Sequence, residues 1–252
     1  MSSIELKNVC LDYIVKTGSD SIKKIAIHLC NKVLSKPDSA ATIKNSSYRA
    51  LNNINLSIRT GDRIGLLGRN GAGKSTLLRV LAKIYKPNSG SIKVDGTISS
   101  LFDVNLGMNP EATGYENIVN LSIMRGFSKK QTYSIINEIE TFTELGDFLN
   151  SPVRTYSSGM QMKLSFAVAT AFPPEIMLVD EVIGVGDAHF MEKATQRMEN
   201  TIKSSQILVL TSHSNDLVRR FCNKALVLDR GEFKFFGDVD SGISFYEKIN
   251  VI

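Results

Sequence analysis

A run of eight residues, Gly68-Arg69-Asn70-Gly71-Ala72-Gly73-Lys74-Ser75, satisfies the pattern G-x-x-x-x-G-K-S in full. Its glycines let the backbone curl until several N–H groups converge on one point. A helix starting at the end of the loop adds the positive end of its dipole, so the loop is built to cradle phosphates. Lys74 brings a point charge to the β- and γ-phosphates, Ser75 a hydroxyl for Mg²⁺, and Thr76 a neighbouring phosphate contact. A chance glycine-rich turn is the bland alternative. The loop lies between a buried-strand pattern and an amphipathic-helix pattern, which is the context the motif requires.

A second group of residues ends an apolar run, Ile176-Met177-Leu178-Val179-Asp180-Glu181. A buried strand there delivers Asp180 beside the phosphate loop, where its carboxylate can hold the metal, through water. Glu181, just past the strand, can polarise an attacking water as a general base. Taken alone, acids at a strand end are commonplace; Lys74 gives these two their meaning. His213 follows the run Ile207-Leu208-Val209-Leu210. A lone histidine is more often structural, but at the end of the strand after the acidic one it reads as a sensor of the γ-phosphate.

These side chains need elements to position them, and hydrophobic periodicity supplies the elements. Residues 4–9 read as a first strand. Residues 50–58 read as a half-buried second strand through Leu51, Ile54, Leu56 and Ile58. Residues 63–67 form a short buried strand leading into the loop. Residues 74–85 form a helix with Leu77, Leu78, Leu81 and Ile84 on one face. Further strand is expected over 91–104, and helices over 115–149 with breaks near Gly126 and Gly146. Pro173-Pro174 ends a helix that starts near Ser158. Buried strands at 176–179, 207–210 and 225–228 alternate with helical stretches. That βαβ rhythm implies a mostly parallel core sheet.

The chain has 252 residues, 42% of them hydrophobic, enough for one large α/β domain or two small ones. No apolar run approaches the roughly 20 residues of a membrane span. The opening Met-Ser-Ser-Ile-Glu-Leu-Lys lacks the basic and apolar regions of a secretory signal, so the expectation is a chain that stays in the cytosol. Cys10, Cys30 and Cys222 are odd in number and far apart, which argues against a disulfide framework or a zinc site. A net charge of +5 fits an anionic partner, but the basic residues are scattered and localise nothing.

Together with Tyr156-Ser157-Ser158-Gly159-Met160, these elements resemble the ATP-hydrolysing subunits of ABC transporters, over almost the whole chain. That family's L-S-G-G-Q signature opens a helix and clamps the ATP bound by the other subunit. Aligned on the last glycine, Ser157 matches the signature serine, Ser158 and Gly159 match the two glycines, and Met160 replaces the glutamine. The resemblance implies an α/β fold: one P-loop ATPase domain over 1–252 with a mostly parallel core sheet. It adds an antiparallel β subdomain and a helical signature subdomain at about 110–172. It also implies ATP and Mg²⁺, with Lys74, Glu181 and His213 catalytic and Ser75 and Asp180 at the metal. Tyr13 falls where the family places a ring against adenine, and Tyr48 competes for that role. Gly186-Asp187 occupies the D-loop, with Gly-Val-Gly-Asp for the usual S-A-L-D. The family's Q-loop glutamine is missing near Val104, which leaves Asp103 or Asn105 to take over its metal and water contacts.

The departures point to one subfamily. The pattern P-E-x-T-G-x-E-N from Pro110 to Asn117, Y-S-S-G-M and V-D-E-V-x-x-V-G-D resembles exporters of O-antigen, capsule or teichoic acid chains. Such a resemblance implies a head-to-tail homodimer around two ATP molecules, driving an integral-membrane permease. The lipid-linked glycan would be handled mainly by the permease, no nucleic acid would be bound, and the subunit would sit peripherally on the cytoplasmic face of the cytoplasmic membrane. Its rivals are a drug or lipid exporter, a soluble ABC ATPase acting on nucleic acid or ribosomes, and a regulatory module without turnover. An intact Glu181 argues against the last. An amphipathic helix is expected over 21–35, with Ile22, Ile25, Ala26, Leu29, Cys30, Val33 and Leu34 on one stripe and Lys23, Lys24 and Lys32 opposite. Asp20 or Ser21 caps its start and Pro37 ends it. Two roles stay open for it, core packing or contact with the membrane face.

Overall fold

The computed structural model describes residues 1–16, 45–101, 107–180, 188–212 and 214–250. Helix 21–35, Asp103, Asn105, Glu181, Gly186, Asp187 and His213 lie outside the described residues. Among the described residues nine strands run in chain order: β1 Ser3–Lys16, β2 Asn45–Arg59, β3 Arg63–Leu67, β4 Ser89–Asp95, β5 Ile98–Ser100, β6 Ile176–Asp180, β7 Ile207–Thr211, β8 Lys224–Asp229 and β9 Glu232–Asp238. The described helices are α1 Lys74–Leu81, α2 Gly114–Met124, α3 Lys129–Thr143, α4 Ser158–Thr170, α5 Ala188–Ser204, α6 Asn215–Phe221 and α7 Val239–Asn250.

The strands divide between two sheets. An antiparallel sheet takes the order β2-β1-β4, and a six-stranded sheet takes β5-β6-β7-β3-β8-β9. Within the second sheet every neighbouring pair is parallel except β8 with β9. Its central strands read as unbroken apolar runs because both of their faces are covered. Ile176 and Leu178 of β6 join Ile207 and Val209 of β7 in a cluster with the antiparallel sheet and Leu77, Leu78 and Leu81 of α1. Met177, Val179, Leu208 and Leu210 turn the other way, onto Phe166, Phe190, Phe221 and Ile243 of α4 to α7. Period-two alternation is therefore present, with apolar residues in both phases.

A third cluster sits among α2, α3 and α4, built on Ile118, Leu121, Ile139 and Leu164. Helix α4 belongs to two clusters: Phe166 and Ala169 face the sheet, whereas Leu164, Ala167 and Val168 face the helices. Its second half is buried all round for that reason.

Two expectations need correction. The helix after the phosphate loop stops at Leu81, because Lys83 takes a left-handed φ of 60°, and Ile84 is left 40% exposed instead of extending the buried stripe. The further strand expected over 91–104 is divided at Gly96, whose φ is 121°; β4 joins one sheet and β5 the other, and residues 102–104 lie outside the described residues. Strand β7 runs between β6 and β3, and Asp180 at the end of β6 shares one cavity with the phosphate loop, as expected.

Candidate nucleotide-binding site

Strand β3 ends at Leu67, and the chain turns through residues 68–73 into α1. Gly73 caps that helix at φ 106°, and a Cβ there would lie 2.8 Å from the Ala50 carbonyl oxygen. Only glycine fits such a position. The result is a helix start with no side-chain cap and no acidic residue in its first turn. Its orphan N–H groups and positive dipole end face the loop. The Lys74 ammonium bends back over the same loop, donating to the carbonyls of Gly68 at 2.6 Å and Arg69 at 3.1 Å.

Across the sheet, Thr211 stands in register with Leu66 of β3 on one side and Asp180 of β6 on the other. Its hydroxyl donates to Asp180 Oδ1 at 2.5 Å, fixing the carboxylate at the strand end. A cavity of about 530 Å³ opens here, lined by Lys74, Ser75, Thr76 and Asp180, with Asn70, Gly71 and Gly73 from the loop. Its far wall is made by Tyr13 and Tyr48.

The two tyrosines are cross-strand partners of β1 and β2, so their rings share one face of the antiparallel sheet. They differ in freedom. The Tyr13 hydroxyl is 3.1 Å from Thr76 Oγ1, and its ring meets Tyr85 edge-on at 6.1 Å. Tyr48 is 53% exposed at the rim.

Residues 157–159 are on a different element and do not line this cavity. Ser157 is the N-cap of α4, and its Oγ accepts from Met160 N at 3.2 Å. The turn before it is rigid: Tyr156 is buried and its hydroxyl donates to Phe148 O at 2.6 Å. A Cβ added to Gly159 would meet only Ser157 Oγ, at 3.9 Å, so the helix start is open.

Two lining residues carry no signal in a motif. Thr211 becomes visible only once β7 is registered against β6, and Arg79 only by counting one helical turn on from Ser75 along α1. Of the residues expected at the site, Tyr13, Asn70, Gly71, Gly73, Lys74, Ser75, Thr76 and Asp180 come together on this cavity. Arg69, Gly71 and Ala72 line a second hollow on the other side of the loop, with Asp229 and Arg230.

Comparison with known proteins agrees with this geometry. The sequence profile described as "ABC transporter" matches residues 51–184. An O-antigen export system ATP-binding protein of Yersinia enterocolitica is 44% identical over 234 residues, 92% of this chain and 96% of its own length. A second O-antigen export ATP-binding protein, from Myxococcus xanthus, is 43% identical over 76% of this chain, which spans only 44% of that longer protein. A teichoic acids export ATP-binding protein of Staphylococcus saprophyticus is 37% identical over 90% of this chain and 85% of its own. In fold, the chain resembles a dimeric ATP-binding cassette solved with ADP and Pi, at a TM-score of 0.65 and 23% identity over 94% of this chain and 98% of that one.

Proposed function

The chain belongs to the ABC transporter family, and from that premise we propose that it hydrolyses ATP to drive export of a lipid-linked polysaccharide through a separate integral-membrane permease. One observation carries the substrate class: identity of 44% to an O-antigen export ATP-binding protein along 96% of that protein's length. Among the described residues no helix is long and apolar enough to cross a membrane. On this reading the subunit sits peripherally on the cytoplasmic face of the cytoplasmic membrane, the permease handles the glycan, and residues 1–252 act as one nucleotide-binding domain.

The cavity supports the roles of the loop, the tyrosines, Ser75 and Asp180, while those of Glu181, His213 and Asp103 rest on the sequence resemblance. The loop N–H groups and Lys74 hold the β- and γ-phosphates. Tyr48, with its ring at the rim, packs on adenine, while Tyr13 is held back against Thr76 and stiffens that wall. Glu181 orients and deprotonates the attacking water, and His213 reads the γ-phosphate. Ser75 and Asp180 offer only oxygen donors to one cavity, which is the donor set a hard Mg²⁺ ion takes; Asp103 is the third candidate. When bound, magnesium supplies positive charge at the phosphate oxygens. The N-terminal end of α4, at residues 157–159, where only Ser157 caps and no acid returns the bond, closes over the ATP of a second copy of the chain. Closure works as a motor only if ATP favours the paired state over the open one.

Reconstitution of the chain with its permease in vesicles tests the substrate class. Lipid-linked glycan is expected to raise ATP turnover several-fold, and a drug or glycan-free lipid is not. Stimulation by the lipid alone would move the assignment to lipid export.

A further inference from the structure

Three helices meet around Arg197, and none of the phosphate chemistry above accounts for it. Helix α5 presents Phe190 and Arg197 seven residues apart, two turns along one face. Helix α3 presents Glu138 and Phe142, and α4 presents Phe166 and Thr170, each pair four apart. The stripes interlock. Phe142 lies 5.3 Å from Phe190 and 6.1 Å from Phe166, ring centre to ring centre. The Arg197 guanidinium sits over Phe142 at 4.4 Å. Its Nε donates to Thr170 Oγ1 at 2.8 Å, and Nη2 pairs with Glu138 at 2.9 Å.

One planar group therefore touches all three helices, and its side chain is 14% exposed against 56% for Glu138. Lysine has neither the flat face nor the angled donors that this arrangement uses. Lys193 and Glu144 form a second tie between α5 and the end of α3. The position of the clasp matters. Thr170 is the last residue of α4, whose first turn carries Ser157, and α5 is the first helix described after Asp180. A 13-residue helix is a lever: tilting it by roughly 5° over about 20 Å moves its far end by about 2 Å. Displacements of about 1 Å in a reacting geometry can cost about 10²-fold in rate.

We propose that Arg197 is a positioning residue for ATP hydrolysis. By pinning the C-terminal end of α4 to α5 and α3, it aims the Ser157 end at the nucleotide held by a second copy of the chain. This role rests on the assignment of residues 157–159 made above.

The test compares Arg197→Ala, Arg197→Lys, Thr170→Val, Glu138→Gln and Ser157→Ala in the full-length chain. The readouts are ATP affinity of the monomer, ATP-dependent dimerisation, kcat, KM and melting temperature. Arg197→Ala should lower kcat by tenfold or more and weaken dimerisation, with monomer affinity for ATP within twofold of wild type. Thr170→Val removes the bond from Arg197 with little change of volume, the hydroxyl's other bonds being to carbonyls of its own helix, and should shift kcat in the same direction by a smaller factor. Arg197→Lys should fall between Arg197→Ala and wild type, and Glu138→Gln within twofold. A purely structural role would instead lower ATP affinity and melting temperature together, with all losses recovered on cooling. Wild-type kcat and dimerisation in both Arg197→Ala and Thr170→Val would overturn the proposal if Ser157→Ala is impaired. If Ser157→Ala is also unimpaired, the assignment of 157–159 falls, and the positioning role with it.

Discussion

Helices α2 and α3 begin in reciprocal capping boxes, whereas α1 and α4 begin without one. In α2, Thr113 Oγ1 accepts from Glu116 N at 3.2 Å and the Glu116 carboxylate accepts from Thr113 N at 2.8 Å. Ser128 and Gln131 repeat the exchange in α3, at 3.3 and 2.9 Å. Each box satisfies two orphan N–H groups from within the chain. Gly73 of α1 has no side chain to offer. Ser157 of α4 makes half a box, because the third helical position holds Met160, which returns nothing. Neither α1 nor α4 has an acid in its first turn. The difference teaches which helix starts are finished internally and which are left complementary to an anion.

Turning α4 into a helix of the first kind should give the largest effect. Met160→Glu creates S-x-x-E at Ser157 and sets a carboxylate where, on the proposed function, the second copy's ATP approaches. Turnover should fall by about 10² to 10³-fold, the range for losing one preorganised donor at a developing charge, while thermal melting holds or rises. Retained turnover would show that this helix start faces no anion.

Gly73→Ala attacks α1. Forcing a Cβ into a left-handed site costs about 1–3 kcal/mol, and here it also meets the Ala50 carbonyl at 2.8 Å. Equilibrium unfolding should register the loss, and ATP binding should weaken with it. An unchanged binding curve would break the link between loop shape and phosphate.

A matched pair then separates the two classes. Thr113→Ala and Ser157→Ala each remove an N-cap hydroxyl and should each cost about 1 kcal/mol of stability. Only Ser157→Ala should also reduce ATP turnover, by tenfold or so in steady-state kinetics, less than the roughly 10² to 10³-fold of a fully preorganised donor. Equal effects on activity would erase the distinction.

The smallest effect is in pH. The Thr113 N–H and hydroxyl hold the Glu116 carboxyl below its usual range. A group whose value is depressed in the folded state stabilises above its unfolded value, and that contribution is lost as pH falls through the folded one. Melting curves of wild type and Glu116→Gln should therefore differ most near neutrality and converge in acid. A gap that widens in acid would contradict the sign.

Sequence pattern revealed the fold and site unevenly, for physical reasons. The phosphate loop was legible because all of its parts lie within nine consecutive residues, and β6, β7 and β8 because double burial leaves unbroken apolar runs. What needs long-range register was not legible. Tyr13 and Tyr48 read as rivals for one role, yet they are opposite partners on adjacent strands, and β2 must fold against β1 before that shows. Thr211 carries no signature until it is set beside Asp180. The Arg197 clasp joins residues from 138 to 197 through a stack of rings whose members each read as ordinary core positions. The apolar period runs on through Ile84, beyond the end of helix α1 at Leu81, because Lys83 turns left-handed and ends the helix without breaking the pattern.

On the proposed function, ATP bound at the α1 end is closed over by the α4 end of a second copy. Sedimentation of the full-length Glu181→Gln chain, with and without ATP and Mg²⁺, tests it directly. With Glu181 as the proposed general base, its loss should slow turnover by about 10² to 10⁴-fold and hold ATP in place. The account predicts a monomer without ATP, a dimer with it, and a monomer again when Met160→Glu is added, although that double variant still binds ATP. A double variant that dimerises with ATP as readily as Glu181→Gln alone would contradict the account.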